Sequence, residues 1–218
     1  TYHVRAYAHN STDTSYGINR TFTTAMIPPG KALDFDGVND YVSCGTGPVI
    51  TGAQPRTIEA WAYTRAFNIG GIFQAGATGT NNGDFSLRTT NVDETWRINL
   101  WGTEDIDVNL PGSKNSWHHY CITFDGVNLK FYYDGNLVAE SDPSLNTLAD
   151  NFRIGIWQTF EFDGMIDEVR VWNTARTRQE IQENVYNVII NPPAELIAYY
   201  RFDRLEGTAL PDYTGNGN

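Results

Sequence analysis

Apolar and polar positions alternate along almost the whole chain, at the period of two that marks β-strands. In the first segment Tyr2, Val4, Ala6 and Ala8 share one face, while His3, Arg5 and Tyr7 share the other. Asn10 to Thr14 is a polar turn, and Ile18 to Thr23 forms a second short strand. Two strands make only a hairpin, which needs a partner sheet to be stable, so residues 1–24 are incomplete as a fold. Pro28-Pro29-Gly30 then marks residues 25–31 as a stiff, turn-prone linker. From Ala32 to Trp172 the pattern predicts about a dozen short strands. They are punctuated by Asp36-Gly37, Asp125-Gly126, Asp134-Gly135 and Asp163-Gly164, dipeptides suited to the left-handed backbone of tight hairpins. Phe131 to Ala139 reads directly as strand, turn, strand. One helix is expected, from a Thr177-Arg178-Gln179-Glu180 capping box to Asn184. Leu196 to Phe202 is a last strand, followed by an open polar loop from Asp212 to Asn218.

Composition sharpens this picture. At 218 residues the chain can bury a substantial core. Aromatics reach 13% and there are 20 glycines against only 15 Lys plus Arg, the mixture of short strands and tight turns. A net charge of −11 and a pI near 4.6 argue against nucleic acid and against anionic membrane surfaces, both of which need a basic face. They suit neutral ligands, bound cations, or solubility alone. No apolar run approaches the roughly 18 residues of a membrane span. Cys44 and Cys121 could bridge the sandwich or remain two buried thiols; two cysteines do not make a disulfide framework. Thr1 opens directly into strand pattern, so a piece of a longer protein is expected.

Several separated stretches resemble laminin-G-like domains of the concanavalin A-like lectin/glucanase superfamily. The first is Ala32-Leu33-Asp34-Phe35-Asp36-Gly37-Val38-Asn39-Asp40-Tyr41-Val42. The second is Thr57-Ile58-Glu59-Ala60-Trp61, with Trp117 to Gly126 and the Tyr133-Asp134-Gly135 turn. The third runs from Phe162-Asp163-Gly164 through Ile166-Asp167-Glu168-Val169 to Trp172-Asn173. The resemblance implies an all-β, antiparallel jelly-roll β-sandwich over residues 32–194, with Trp61, Trp117 and Trp172 packed in its core. Residues 1–24 resemble the C-terminal hairpin of a fibronectin type III domain, through Tyr2 to Asn10, Tyr16-Gly17 and Phe22-Thr23-Thr24. In the laminin-G-like family a strand similar to Ala198-Tyr199-Tyr200-Arg201-Phe202 usually precedes the Leu-Asp-Phe-Asp-Gly strand. Residues 195–218 therefore either close this sheet from the C-terminal side or open a following repeat, and the trailing loop favours the second.

The chemistry was sought in three forms. The same jelly roll carries glycan hydrolases, whose retaining members need two carboxylates about 5–5.5 Å apart. Glu161, Asp163 and Asp167-Glu168 do not reproduce the i, i+2, i+4 spacing that would put such acids on one strand face, so no catalytic residue is expected. His118 and His119 adjoin on a strand and point to opposite faces, so they cannot chelate one metal. Calcium is the sharper expectation. Asp36, Asn39 and Asp40 pack three oxygen-bearing side chains around a glycine turn, and the resemblance supplies Asp167 as a late acidic ligand of a structural calcium. These turn side chains could equally serve their own backbone.

Sugar binding needs flat aromatic surface beside hydrogen-bonding groups. Trp96, Arg97, Asn99 and Trp101, joined by Trp157 and Gln158, form the candidate glycan platform. The expected function is a non-catalytic carbohydrate-binding or adhesion module of a large secreted or cell-surface bacterial protein. Its partners would be a glycan or cell-surface polysaccharide and neighbouring domains of the same protein, with no nucleic acid and no membrane insertion. Two rivals stand beside it: a structural or protein-contacting repeat without sugar binding, and a diverged glycan hydrolase.

Overall fold

The computed structural model describes residues 2–4, 7–9, 11–12, 14–16, 20–22, 28–102, 104–204 and 209–218. The first residues form a nested hairpin. Strand β1 (Tyr2–Val4) pairs antiparallel with β4 (Arg20–Phe22), and β2 (Tyr7–His9) with β3 (Thr14–Tyr16). Ala6, Ile18, Asn19 and Thr23 of the expected strands lie outside the described residues.

Two antiparallel sheets make the sandwich. The seven-stranded sheet contains β5 (Leu33–Asp36), β7 (Arg56–Thr64), β12 (Trp117–Phe124), β13 (Leu129–Tyr133), β14 (Asn136–Ser141), β18 (Asp163–Trp172) and β19 (Leu196–Tyr200). The six-stranded sheet runs in the order β11 (Ile106–Asn109), β10 (Thr95–Asn99), β9 (Asp84–Thr89), β8 (Gly70–Gly76), β15 (Arg153–Ile154), β6 (Val42–Ser43). A small hairpin of β16 (Ile156–Trp157) and β17 (Phe160–Glu161) stands apart from both. The fold is thus the antiparallel jelly-roll β-sandwich expected from the alternation.

Period two decides what lies between the sheets. Ile58, Ala60 and Ala62 of β7, Tyr120, Ile122 and Phe124 of β12, Phe85 and Leu87 of β9, and Trp96 and Ile98 of β10 all join one buried cluster. Their neighbours necessarily face outward. Trp61 lies between Ala60 and Ala62, so it is buried on the far side of β7, where its Nε1 donates to the Val185 carbonyl at 2.9 Å. Trp172 shares that outer side with Leu196 and Tyr199. Trp117 is half-buried at the rim, edge-on to Tyr63. The expectation that these three indoles fill the sandwich core is therefore corrected; the indole that does so is Trp96. Cys44 belongs to the central cluster and Cys121 to a patch on the outer side, and the two do not pair.

Helix α1 (Arg178–Asn184) and the chain after it cover the outer face of the seven-stranded sheet. Its capping box is formed as the sequence indicates, with Thr177 and Glu180 bonded reciprocally. Beneath this cover is a charged network. Glu59 receives the Trp172 Nε1 at 3.0 Å and lies 3.2 Å from His119 Nε2 and 3.6 Å from Arg170 Nη1. Arg170 also bonds Glu168 and donates to the carbonyls of Asn184 (3.1 Å) and Asn187 (2.7 Å). Burial alone would push the Glu59 carboxyl up, but His119, Arg170 and Trp172 together hold it down to about 2.

Strand β18 meets two chain segments along one edge. Its first half pairs with β5 (Asp163↔Asp36 to Ile166↔Leu33) and its second half with β19 (Val169↔Tyr200 to Trp172↔Leu196). The two lie end to end, and their junction faces an irregularity at Asp167–Glu168, where Glu168 takes a left-handed backbone (φ 52°). Lys31 N donates to Asp203 Oδ1 across the junction at 3.0 Å. Residues 212–218 fold back on the strand, with Tyr213 N on the Tyr199 carbonyl at 2.9 Å. Leu196–Tyr200 therefore closes this sheet; the following-repeat reading of that strand gives way.

Glu59→Ala should cost about 3–5 kcal/mol in urea denaturation, because it leaves buried charge without its partner. Since the Glu59 pKa is lowered on folding, its contribution is present above about 4.5 and lost as pH falls toward 2. Melting temperatures of Glu59→Gln across that acid range should fall less steeply than those of the parent chain.

Candidate functional site

The outer face of the six-stranded sheet is built differently. With Phe85 and Leu87 turned inward, Asp84, Ser86 and Arg88 of β9 point outward, joined by Arg97 and Asn99 of β10. Register places Arg97 opposite Arg88, and Asn99 opposite Ser86. Arg97 is neutralised from the other side by Asp107, with Nε–Oδ1 2.5 Å and Nη2–Oδ2 2.6 Å, and by Asp105 at 3.6 Å. Arg88 donates to Asn99 Oδ1 at 3.0 Å and lies over the Trp157 ring at 4.3 Å. A cleft of about 200 Å³ opens between Arg88, Arg97, Asp107, Thr90 and Thr95.

The β16–β17 hairpin lies across this face, and two glycines permit it. A Cβ on Gly71 would sit 2.2 Å from the Ile156 carbonyl carbon, and one on Gly70 2.7 Å from the Glu161 oxygen. No side chain fits between these backbones. The hairpin presses Trp157 onto Asp84, whose Oδ2 accepts from Trp157 Nε1 at 2.8 Å and from Asn99 Nδ2 at 3.2 Å. Ser86 bonds the other oxygen. Burial drives the Asp84 carboxyl up to about 7 despite these donors. Gln158, left-handed at the hairpin turn (φ 56°), donates its amide to Gln74 Oε1 at 2.8 Å.

Trp101 and Phe160 flank Trp157 with ring centroids at 6.1 and 5.9 Å. Trp101 is half-buried and Phe160 is 39% exposed. Trp101 also has a left-handed backbone (φ 61°), which a bulky side chain adopts only when its surroundings force it. Its carbonyl is held by Asn82 N at 3.0 Å.

Of the expected platform, the structure brings Arg97, Asn99, Trp101, Trp157 and Gln158 to the outer side of this sheet, with Arg97, Trp101 and Gln158 partly exposed and Asn99 and Trp157 buried beneath the hairpin. Trp96 does not reach it. It is wholly buried between the sheets, 4.2 Å from Tyr120, with Nε1 on Ser113 Oγ at 3.1 Å. As the neighbour of Arg97 on a strand, it must face the other way. Sequence reasoning missed Asp84, Arg88, Gln74 and Phe160. The clean alternation Asp84-Phe85-Ser86-Leu87-Arg88 was the signal for the first two, and Gly70-Gly71 for the hairpin seated above them.

The expected calcium ligands do not converge. Asp36 Oδ1 accepts from Val38 N at 2.9 Å and Asp40 Oδ2 from Asp36 N at 3.3 Å, which is turn closure. Asp36 pairs with Asp163, so Asp167 lies four residues further along β18, about 13 Å away at the usual strand rise. Asp167 is fully buried, one oxygen taking Glu168 N at 2.7 Å and the other without a partner. Burial raises its carboxyl to about 8, and Glu168 and Asp203 add to the rise. Among the described residues no three His, Cys, Asp or Glu gather to hold a metal. Asn39 is exposed on the same turn.

Among the described residues no helix is long and apolar enough to cross a membrane. The sequence profile of the concanavalin A-like lectin/glucanases superfamily matches residues 36–182. Among curated proteins none matches the chain. Among solved structures, a Bacteroides ovatus protein described as carbohydrate-binding is similar at 24% identity and TM-score 0.69, over 95% of this chain and 61% of that one. The chain thus spans about three fifths of that protein. The CBM40 module of the Ruminococcus gnavus IT-sialidase, bound to α2,3-sialyllactose, is similar at 17% identity and TM-score 0.54, over 72% and 98%. A SAP-like pentraxin of Limulus polyphemus follows at 15% and 0.53, over 68% and 78%. At these identities the likeness is one of fold.

Asp84 is ordinarily ionised above 3.8, so an unfolded chain loses this proton earlier than the folded one. The group therefore makes stability fall as pH rises from about 4 to about 7. Asp84→Asn should flatten that slope in thermal melts; an unchanged slope would show Asp84 to be ionised in the fold. If a structural calcium is bound, chelating divalent ions should lower the melting temperature by several degrees; an unchanged melt would remove the calcium expectation.

Proposed function

The chain belongs to the concanavalin A-like lectin/glucanases superfamily, and from that premise we propose that it is a non-catalytic carbohydrate-binding module. The ligand lies on the outer face of the six-stranded sheet. One observation carries this reading: the Trp101–Trp157–Phe160 patch is joined, through Arg88 over the Trp157 ring, to an open cleft lined by Arg88, Arg97 and Asp107. Flat apolar rings match the C–H faces of a sugar, and the Arg97 guanidinium and Asp107 carboxylate, fixed by their pairing, match its hydroxyls. The arrangement is pre-formed, since Asp84 and Gln74 fix the hairpin from below. The description of the Bacteroides ovatus protein and the sialyllactose bound to the Ruminococcus module support a saccharide ligand for this fold.

The non-catalytic part of the proposal has its own support. Asp163, the acid nearest a hydrolase-like position, is bound by Arg65 at 2.7 Å, and Arg65 is also paired with Asp34 at 2.6 Å. Asp105 and Asp107 are both engaged by Arg97. Such pairing suits positioning rather than proton transfer. Secretion or display at a cell surface, as one domain among several, fits the acidic composition and the fibronectin-like pattern of residues 1–24.

A glycan array followed by calorimetry on the best hit tests the site. Trp101→Ala and Arg97→Ala should each weaken binding on the order of tenfold, with melting temperatures close to the parent's. Full affinity in both variants would move the ligand off this face and favour a structural repeat.

A further inference from the structure

The opposite side of the molecule carries a second cleft, of about 350 Å³, between β12–β13 and residues 175–178 leading into α1. Three cations line it: Lys130, Arg176 and Arg178. Among the described residues none of them makes an ion pair. In a chain of net charge −11, three cations without an ion pair around one cleft are a local concentration of positive charge, with Asp125 the acid among them.

The two guanidinium groups are already held in place. Arg176 lies over the Trp172 ring at 3.9 Å and donates to the Glu180 carbonyl at 3.3 Å. Arg178 donates to the Gly135 carbonyl at 3.2 Å and to Asn136 Oδ1 at 2.7 Å. The acid in the lining, Asp125, is occupied by Val127 N and Asn128 N at 2.9 and 2.7 Å. Thr123, Asn128, Tyr132 and Thr177 complete the wall with hydroxyls and an amide.

We propose that this cleft binds a carboxylate-bearing sugar, a hexuronate unit of a polysaccharide. The N–H groups that Arg176 and Arg178 do not spend on the chain match a carboxylate, and Lys130 adds a point charge. The volume exceeds what a bare oxyanion fills and falls in the range of small-ligand sites, roughly 300–1,000 Å³. The polar wall suits ring hydroxyls rather than an apolar acid. This inference does not depend on the site across the molecule, which shares no residue with it.

The test is calorimetry of the whole chain with trigalacturonate, run beside uncharged galactotriose and sodium sulfate. Trigalacturonate should bind, lose affinity as salt is raised, and exceed galactotriose by at least about tenfold. Lys130→Ala/Arg178→Ala should lose at least about tenfold with an unchanged melt, while Trp101→Ala retains full affinity. In the unmutated chain, saturating trigalacturonate should slow acetylation of Lys130, read by mass spectrometry. Sulfate binding as tightly as the trisaccharide would overturn the sugar assignment. So would full affinity in the double variant, or Lys130 acetylated at the same rate with and without trigalacturonate.

Discussion

Arg170 is almost wholly out of water, and the outer side of the seven-stranded sheet is organised around keeping its charge matched. Glu59 and Glu168 supply the counter-charge, Tyr199 adds a hydroxyl to Glu168, and the last residue of α1 and the chain after it supply one carbonyl each. Removing any one partner leaves an ion in low dielectric, which is costly. That constraint couples β7, β12, β18 and β19 to the helical cover. It also explains why Trp61 and Trp172 sit on this side, where their indole N–H groups meet Val185 and Glu59, and not between the sheets.

The two sheets treat their outer faces in contrasting ways. One is sealed by a helix and internally neutralised. The other receives only a short hairpin, and it leaves Arg97 and Phe160 in contact with solvent. Beneath that hairpin Asp84 and Arg88 are buried, with Asp84 taken up by Ser86, Trp157 and Asn99 and Arg88 by Asn99 and the Trp157 ring. What a saccharide can use is the solvent-facing part: Arg97, Asp107, Trp101 and Phe160. The same criterion separates the basic cleft at Arg176 from the network at Arg170, although both lie on one sheet.

The sandwich was legible because alternation and turn chemistry point the same way at nearly every position. Asp134-Gly135 shows the agreement, with Asp134 at φ 50° and Tyr133 paired with Asn136 across the turn. The helix was legible from four residues, Thr177 to Glu180. The site was legible only in part. Trp101, Trp157, Arg97 and Asn99 could be selected by residue type, but Trp96 was grouped with them despite being one position from Arg97, and strand parity assigns it to the core. Asp167 shows a different limit. Its distance from Asp36 depends on which residue of β18 faces β5, and pairing register between strands more than a hundred residues apart is not written in either strand alone.

The end-to-end arrangement of β5 and β19 along β18 has a consequence for when the domain can be finished. The edge is completed by residues 33–36 and 196–200, from opposite ends of the sandwich sequence. The two closures differ in kind: β5 reaches β18 across more than 120 residues of chain, whereas β19 follows β18 after only residues 173–195. During synthesis the second half of β18 stays uncovered until residue 200 has been made, and Arg170 and Glu168 wait with it. Until then that edge is an unpaired strand open to mispairing.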